Sequence, residues 1–351
     1  MTAAVLTGHG GDEKLVVRHD VPVPRPGAGD VLVEMAAASI NNTDIWTREG
    51  AYGTESDPAA IAGWRGIPLS FPRIQGADGC GRLVDTGPGV STDRIGQRVL
   101  VDPAGYDGPG EHASPVTLLG SERDGAFAEY VVVPQDRAHE VITSPLTDQE
   151  LACLPVAYGT ALGMLERARL APQERLLVTG ASGGVGMALV QLGRAYGAEV
   201  TAITNESQRD TVARFGAHTV LIRPSEGIVV PAGSPAFDVI ADVVGGELFL
   251  ELVSTLREGG RVVIAGAVSG PVVSLDLRRF YLHQRRLIGS SMHTPAHFER
   301  LAALAREGAV RPHIGARYAL EDIHDAQAHF RRKGFAGKIV LLPPRARGRE
   351  K

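Results

Sequence analysis

The sequence predicts an α/β protein with two domains, a mainly β domain followed by one built on a doubly wound parallel sheet. Two observations carry this. Residues 1 to about 150 read as short strands broken by Gly, Pro and Asp, whereas after Pro155 apolar runs of five or six residues alternate with helical stretches, the pattern of βαβ units. The length agrees, since 351 residues at roughly 100–200 per domain make two domains.

In the first part the strands are MTAAVL, LVVRHD, DVLVEMAAASI, GCGRLVDTG, QRVLVDP and AFAEYVVVP. In the second part strands are expected at Arg175 to Thr179, Glu199 to Thr204, His218 to Ile222, Phe237 to Val243, Gly260 to Ala265 and Arg286 to Ser290. Helices fit Gly186 to Tyr196, Ser207 to Phe215, Leu248 to Leu256 and Pro295 to Glu307. Six strands with crossovers suffice for one dinucleotide-binding fold. The remainder holds a helical pattern at Leu320 to Arg331 and a final strand, KIVLL, at 338 to 342. It is too short for a domain of its own and is expected to pack back onto the first. The expected division is 1–154, 155–294 and 295–351.

Composition narrows the class. Hydrophobic residues make up 44% and charged residues 22%, which fits neither a disordered nor a fibrous chain, and no run approaches 18 apolar residues. Thirty-six basic against 40 acidic side chains give a net charge of −4 without a basic stripe, so neither nucleic acid nor a membrane is an expected partner. Only Lys14, Lys333, Lys338 and Lys351 are lysines; the Arg-rich balance reads as coding bias. Two cysteines, Cys80 and Cys153, cannot form a zinc cluster and read as buried core thiols. MTAAVLTGHGG has neither a basic nor an apolar leader segment, so the expected address is the cytoplasm.

The strongest local signal is RLLVTGASGGVGMALVQLGRAYGAEV from Arg175 to Val200, a buried strand running through a glycine turn into an Ala/Leu-rich helix. The glycines follow GxxGxxG rather than GxGxxG, Ala181 and Ser182 interrupting the stricter form. Gly180, Ser182, Gly183, Gly184, Val185 and Gly186 then offer backbone N–H groups to a pyrophosphate at the helix N-terminus. A purely structural glycine turn is the alternative, which the strand-turn-helix context disfavours. At the end of the second strand an NAD enzyme places Asp or Glu to accept from the ribose 2′-hydroxyl. Here Thr204 stands there; Thr204, Asn205 and Ser207 donate to a 2′-phosphate and Arg209 supplies charge. The expected cofactor is NADPH; Glu206 as ribose acceptor is the alternative if the register slips by two.

With these residues in view, the chain resembles the medium-chain dehydrogenase/reductase superfamily, and within it the zinc-free quinone oxidoreductase and enoyl reductase branch. The likeness runs through DVLVEMAAASINNTDIWTREGAYG, PRIQGADGCGRLVDTGPGV, LACLPVAYGTAL, GASGGVG, GGRVVIAGAVSG, GSSMHTPAHFERL and AGKIVLLP. It implies a GroES-like catalytic domain and a Rossmann cofactor domain. Zinc-dependent relatives carry Cys-His-Thr-Asp, Gly-His-Glu and a third ligand at the start of the cofactor domain. The corresponding positions read Asn41-Asn42-Thr43-Asp44, Gly76-Ala77-Asp78 and Val156, and none supplies the thiolate or imidazole that zinc prefers. The four-Cys lobe is absent around 106–112, and His112, His139, His283, His293 and His297 are scattered. The expectation is therefore no metal. Without a Lewis acid, hydride is more readily delivered to the β-carbon of a conjugated carbonyl, whose charge delocalises onto an enolate oxygen that hydrogen bonds stabilise.

The resemblance implies roles for further side chains. Asn41 donates to the substrate carbonyl, or else caps a helix. Asp44 reads as structural, favoured by the helix dipole. Tyr52 donates a hydrogen bond or proton to the enolate, or else is a loop aromatic; Trp46 and Tyr158 shape the substrate pocket. Thr160 lies against the nicotinamide, although Tyr158 and Thr160 also suit a helix start. Gly266, Ala267 and Val268 pass the nicotinamide ribose, Ser290, Ser291 and Met292 reach the carboxamide, and Lys338 lies near the cofactor phosphates or merely blunts a strand edge. Loops at 52–71, with Trp64 and Phe71, and at SERDG, 121–125, shape access to a hydrophobic or aromatic small molecule. A homodimer through the segment Pro271 to Leu275 is expected by analogy. The rivals are a carbonyl or alcohol oxidoreductase using Tyr52 or Thr43, and a non-catalytic NADPH-binding protein.

Overall fold

The structure is a computed structural model and describes residues 1–52, 68–110, 112–223, 230–231, 233–234, 236–332 and 334–347. The chain divides into two compact units: residues 1–156, 294–333 and 338–351 form the first, and 157–293 with 334–337 the second. Among the described residues no helix is long and apolar enough to cross a membrane.

The first unit is mainly β. Its largest sheet runs Ala138–Glu140, Arg98–Val101, Asp78–Thr86, Asp30–Ser39, Lys338–Leu342 and Ile314–Ala319, with Tyr130–Pro134 also paired to Asp30–Ser39. The ten-residue strand Asp30–Ser39 is buried along nearly its whole length, which is why it reads as a continuous apolar run and occupies the centre. The C-terminal strand Lys338–Leu342 joins it antiparallel, Val340 facing Ser39 and Leu341 facing Ala38. The long return of the chain thus completes this sheet. Directly after Asp30–Ser39 the chain turns at Ile40–Asn41 into the helix Asn42–Glu49.

The second unit carries six parallel strands. Their order is Thr219–Ile222, Glu199–Thr204, Arg175–Val178, Phe237–Asp242, Leu256–Ile264 and Arg286–Gly289. Numbered in chain order within the unit this is 3-2-1-4-5-6, the doubly wound arrangement, whose connections diverge between Arg175–Val178 and Phe237–Asp242. The helix Gly184–Ala195 buries Met187, Ala188, Leu189, Val190 and Leu192. Where the sequence predicts a helix through Leu256, the helix ends at Ser254 and Leu256 already pairs with Phe237. The register then shifts so that Val239 faces Arg261, because 257–260 loop out of the ladder.

Candidate active site

In the second unit, the cofactor-type residues gather at the carboxyl ends of the strands, where a doubly wound sheet binds its ligand. The turn after Arg175–Val178 requires two of its glycines. Gly180 adopts φ +57°, and a Cβ on Gly186 would lie 2.1 Å from the Gly180 carbonyl oxygen. The helix therefore starts hard against the turn, and its first amides, those of Gly184 and Val185 included, lack acceptors within the helix. Ser182 and Gly183 precede it, the Ser182 carbonyl accepting from Gly337 N–H at 2.9 Å.

Across the point of divergence Thr179 Oγ1 donates to Asp242 Oδ1 at 2.6 Å and accepts from Val243 N–H at 3.0 Å. Asp242 also accepts from the amides of Val244 and Gly245, so it pins both loops of the crevice. Gly266 lies against the Val243 carbonyl, where a Cβ would come within 2.8 Å. Ala267 follows it, half-buried, and Val268 is exposed.

The segment Ser290-Ser291-Met292 is held by Arg167. Its guanidinium donates to Ser290 Oγ at 2.9 Å, to the Met292 carbonyl at 3.0 Å and to the Ser291 carbonyl at 3.4 Å. Met292 takes φ +48°, and Thr160 Oγ1 donates to its sulfur at 3.7 Å. Thr160 and 290–292 are thus brought together. Sequence reading missed Arg167, which is 123 residues from Ser290 and sits in no motif.

At the end of Glu199–Thr204, a cavity of about 100 Å³ is lined by Gly180, Ser182, Thr204, Asn205, Arg223 and Asp242 among others. That volume admits part of a nucleotide, the rest lying along the open ends of the strands. Ser207 is exposed outside this lining, and Arg209 is engaged by Glu206 at 3.0 Å.

The first unit holds a second cluster of polar groups. Asp78 is fully buried; its Oδ2 accepts from Ser39 Oγ at 2.6 Å, Asn41 Nδ2 at 2.8 Å and Lys338 Nζ at 3.0 Å, and its Oδ1 from Val156 N–H at 2.7 Å. Lys338, 3% exposed, also donates to the Ile40 carbonyl at 2.9 Å and to Asn41 Oδ1. All three ammonium protons are thereby engaged. Asp44 Oδ2 accepts from Asn41 N–H at 2.8 Å and Oδ1 from Ala77 N–H at 3.1 Å. Burial, reinforced by the Asp78 charge and opposed by these hydrogen bonds, pushes the Asp44 carboxyl up to about 7.

Three expectations are corrected by this geometry. Asn41 does not present its amide to a substrate, because Asp78, the Ser39 carbonyl and Lys338 take both ends of it. Lys338 does not reach for phosphates, since the final strand carries it into the sheet beside Asp78. Tyr158 is interior, its hydroxyl accepting from Gln191 Nε2 at 2.8 Å.

Tyr52 and Trp46 do come together, in an edge-to-face contact with centroids 5.9 Å apart. Tyr52 donates to Thr43 Oγ1 at 3.1 Å, and burial pushes its phenol up to about 12. Trp64 and most of the 52–71 loop lie outside the described residues, while Phe71 packs edge-on against His9. The 121–125 loop is braced locally: Glu122 accepts from Leu118 N–H, and Asp124 from Ile74 N–H and Arg73.

A zinc ion does not fit this donor set. Asn41, Ala77 and Val156 converge on Asp44 and Asp78, but they contribute an engaged amide, a methyl and an isopropyl group. Both carboxylates already accept from fixed donors. The Cys153 thiol, whose sulfur donates to the Gln149 carbonyl at 3.2 Å, is pushed up to about 12 by burial. Among the described residues no three His, Cys, Asp or Glu side chains are grouped to hold a metal ion.

Comparison with known proteins agrees with the two-unit architecture. Residues 27–143 match the alcohol dehydrogenase GroES-like domain, and residues 184–307 match the zinc-binding dehydrogenase family. The acryloyl-coenzyme A reductase of Metallosphaera sedula is 30% identical, over 97% of this chain and 99% of its own length. The quinone oxidoreductase of Sus scrofa is 30% identical, over 97% and 98%. A crystal structure described as a candidate alcohol dehydrogenase of Sinorhizobium meliloti 1021 superposes with TM-score 0.92 at 48% identity, covering 98% of this chain and 96% of that one.

Proposed function

The chain belongs to the medium-chain dehydrogenase/reductase superfamily of nicotinamide-dependent oxidoreductases, and we propose that it is a metal-independent NADPH reductase acting on an activated C=C bond or a quinone. The observation that carries this reading is the replacement at the zinc-ligand positions. Asn41, Ala77 and Val156 stand where zinc relatives carry ligands, and a buried Lys338–Asp78 pair occupies the cluster. A site without a Lewis acid suits conjugate reduction, in which charge spreads onto an enolate oxygen, better than reduction of an isolated ketone. The acryloyl-coenzyme A reductase and quinone oxidoreductase relatives support the same substrate class.

Bound in the second unit, NADPH supplies the hydride. The amides of Gly184 and Val185 at the helix start hold its pyrophosphate, the Gly183 amide being taken by the Gly180 carbonyl, and the uncharged end of the second strand, Thr204-Asn205, accepts a phosphorylated ribose. Gly266, Ala267 and Val268 pass its nicotinamide ribose, and Arg167 fixes 290–292, with Thr160 alongside, to orient the ring. In the first unit Tyr52 remains a phenol at every working pH; its single hydroxyl proton, donated to Thr43 Oγ1 in the free protein, turns to the enolate oxygen when substrate is bound. Trp46 and Tyr52 offer an aromatic wall to a flat, conjugated substrate.

Among the described residues the edge strand Arg286–Gly289 pairs with no strand on its outer side, and Leu287 on it and Val272, Leu277, Tyr281 and Leu282 in the segment before it are exposed. A second copy of the chain covers this edge, completing a homodimer.

The test is NADPH consumption, in the presence of a chelator, with an aromatic enone and its saturated ketone. The proposal expects turnover of the enone alone. A second reading, carbonyl–alcohol interconversion, is favoured by the description of the 48%-identical relative, and turnover of the saturated ketone would establish it in place of the first.

A further inference from the structure

We infer that Arg223, together with the hydroxyl of Thr204, forms the seat for the 2′-phosphate of the cofactor, and that Arg209 does not. The inference rests on the NADPH reading and names the charged residue that would enforce it.

Thr204 closes the second strand of the cofactor sheet, and Ile222 closes the strand beside it. Arg223 follows directly, its N–H donating to the Thr204 carbonyl at 2.8 Å, so the two residues are locked side by side. Thr204 is only 5% exposed, yet among the described residues its Oγ1 has no hydrogen-bond partner. A buried hydroxyl without a partner is unfavourable, and one lining a cavity is completed by a ligand oxygen. Arg223 lines the same cavity, and its guanidinium makes no ion pair among the described residues. A buried hydroxyl beside a forked cation that is unpaired among the described residues matches a phosphate dianion.

The charged neighbours agree. Glu206, the alternative acceptor for an unmodified ribose, pairs with Arg209; both are exposed and neither lines the cavity. Asp242 does line it, but its oxygens are taken up by Thr179 and the amides of Val244 and Gly245. No carboxylate with a free oxygen therefore stands ready for a 2′-hydroxyl among the described lining residues, whereas a cation and a hydroxyl stand ready for a phosphate.

The test is calorimetric titration of the purified protein with 2′,5′-ADP and with 5′-AMP, which differ only in the 2′-phosphate, for wild type, Arg223→Ala, Arg223→Lys and Arg209→Ala. Wild type is expected to bind 2′,5′-ADP about 10- to 100-fold more tightly than 5′-AMP. Arg223→Ala should erase most of that ratio by weakening 2′,5′-ADP alone, Arg223→Lys should keep part of it, and Arg209→Ala should leave it unchanged. If wild type discriminates but Arg223→Ala still does, or if Arg209→Ala loses the ratio, the assignment to Arg223 is overturned while the NADPH reading stands. If wild type binds the two nucleotides equally, the NADPH reading fails and Arg223 with it.

Discussion

Replacing Lys338 by Met keeps the length of the buried stem and removes only the ammonium. Asp78 is then a buried carboxylate without its cation, a change that costs about 3–5 kcal/mol in a sealed site. The remaining donors, Ser39 at 2.6 Å, Asn41 at 2.8 Å and the Val156 amide at 2.7 Å, still solvate it, which puts the loss near the lower end, about 3 kcal/mol. The Ile40 carbonyl and Asn41 Oδ1 lose a donor as well, so the turn into the helix bearing Thr43 and Trp46 loosens. For a unit of this size such a loss lowers the melting temperature by about 6–12 °C. Urea unfolding followed by circular dichroism, on wild type, Lys338→Met, Asp78→Asn and the double variant, measures it. The double variant should recover much of the loss, because neither charge is then left alone. Lys338→Met within about 1 kcal/mol of wild type, or strict additivity in the double variant, would refute the buried pair as the brace of this cluster.

Three further outcomes follow from the geometry. Gly186→Ala drives a methyl into the Gly180 carbonyl and should abolish dinucleotide binding, whereas Gly183→Ala, whose Cβ meets that oxygen only at 3.4 Å, should retain a folded chain; thermal shift with and without NADPH separates the two. Tyr52→Phe should lower kcat on the order of 100-fold, and because the phenol titrates only near 12, the wild-type pH–rate profile should show no descending limb from Tyr52 below about pH 10. Asp44 titrates near 7 when folded and near 4 when unfolded, so the folded chain binds the extra proton between those values. Its contribution to stability is therefore full below about pH 4 and falls as pH rises to about 7; unfolding free energies of wild type against Asp44→Asn across that range should show the difference shrinking with pH.

Much of the cofactor unit can be read from sequence because its constraints are local. A strand, a glycine turn and an apolar helix in succession announce themselves, and Gly180 and Gly186 are required by a positive φ and a close approach that only glycine permits. The position of Thr204 follows by counting along one strand. Arg223 could not be found that way, since its place beside Thr204 depends on which strand pairs with Glu199–Thr204. The polar cluster of the first unit is harder still. Lys338 and Asn41 are 297 residues apart, and only the docking of the final strand against Asp30–Ser39 turns an exposed-looking lysine into the buried partner of Asp78. Tyr158 sits at a promising position in its motif, but its helix is buried around that turn, which the short apolar run does not distinguish from a pocket wall.

The central claim is conjugate hydride transfer without a metal. Its most direct measurement is the position of deuterium in the product when protein of determined metal content, freed of zinc by chelator, reduces an aromatic enone with NADPH dideuterated at C4 of the nicotinamide. The account predicts a saturated ketone labelled at the β-carbon at full activity. An allylic alcohol labelled at the carbinol carbon, or activity that returns only with zinc, would contradict it.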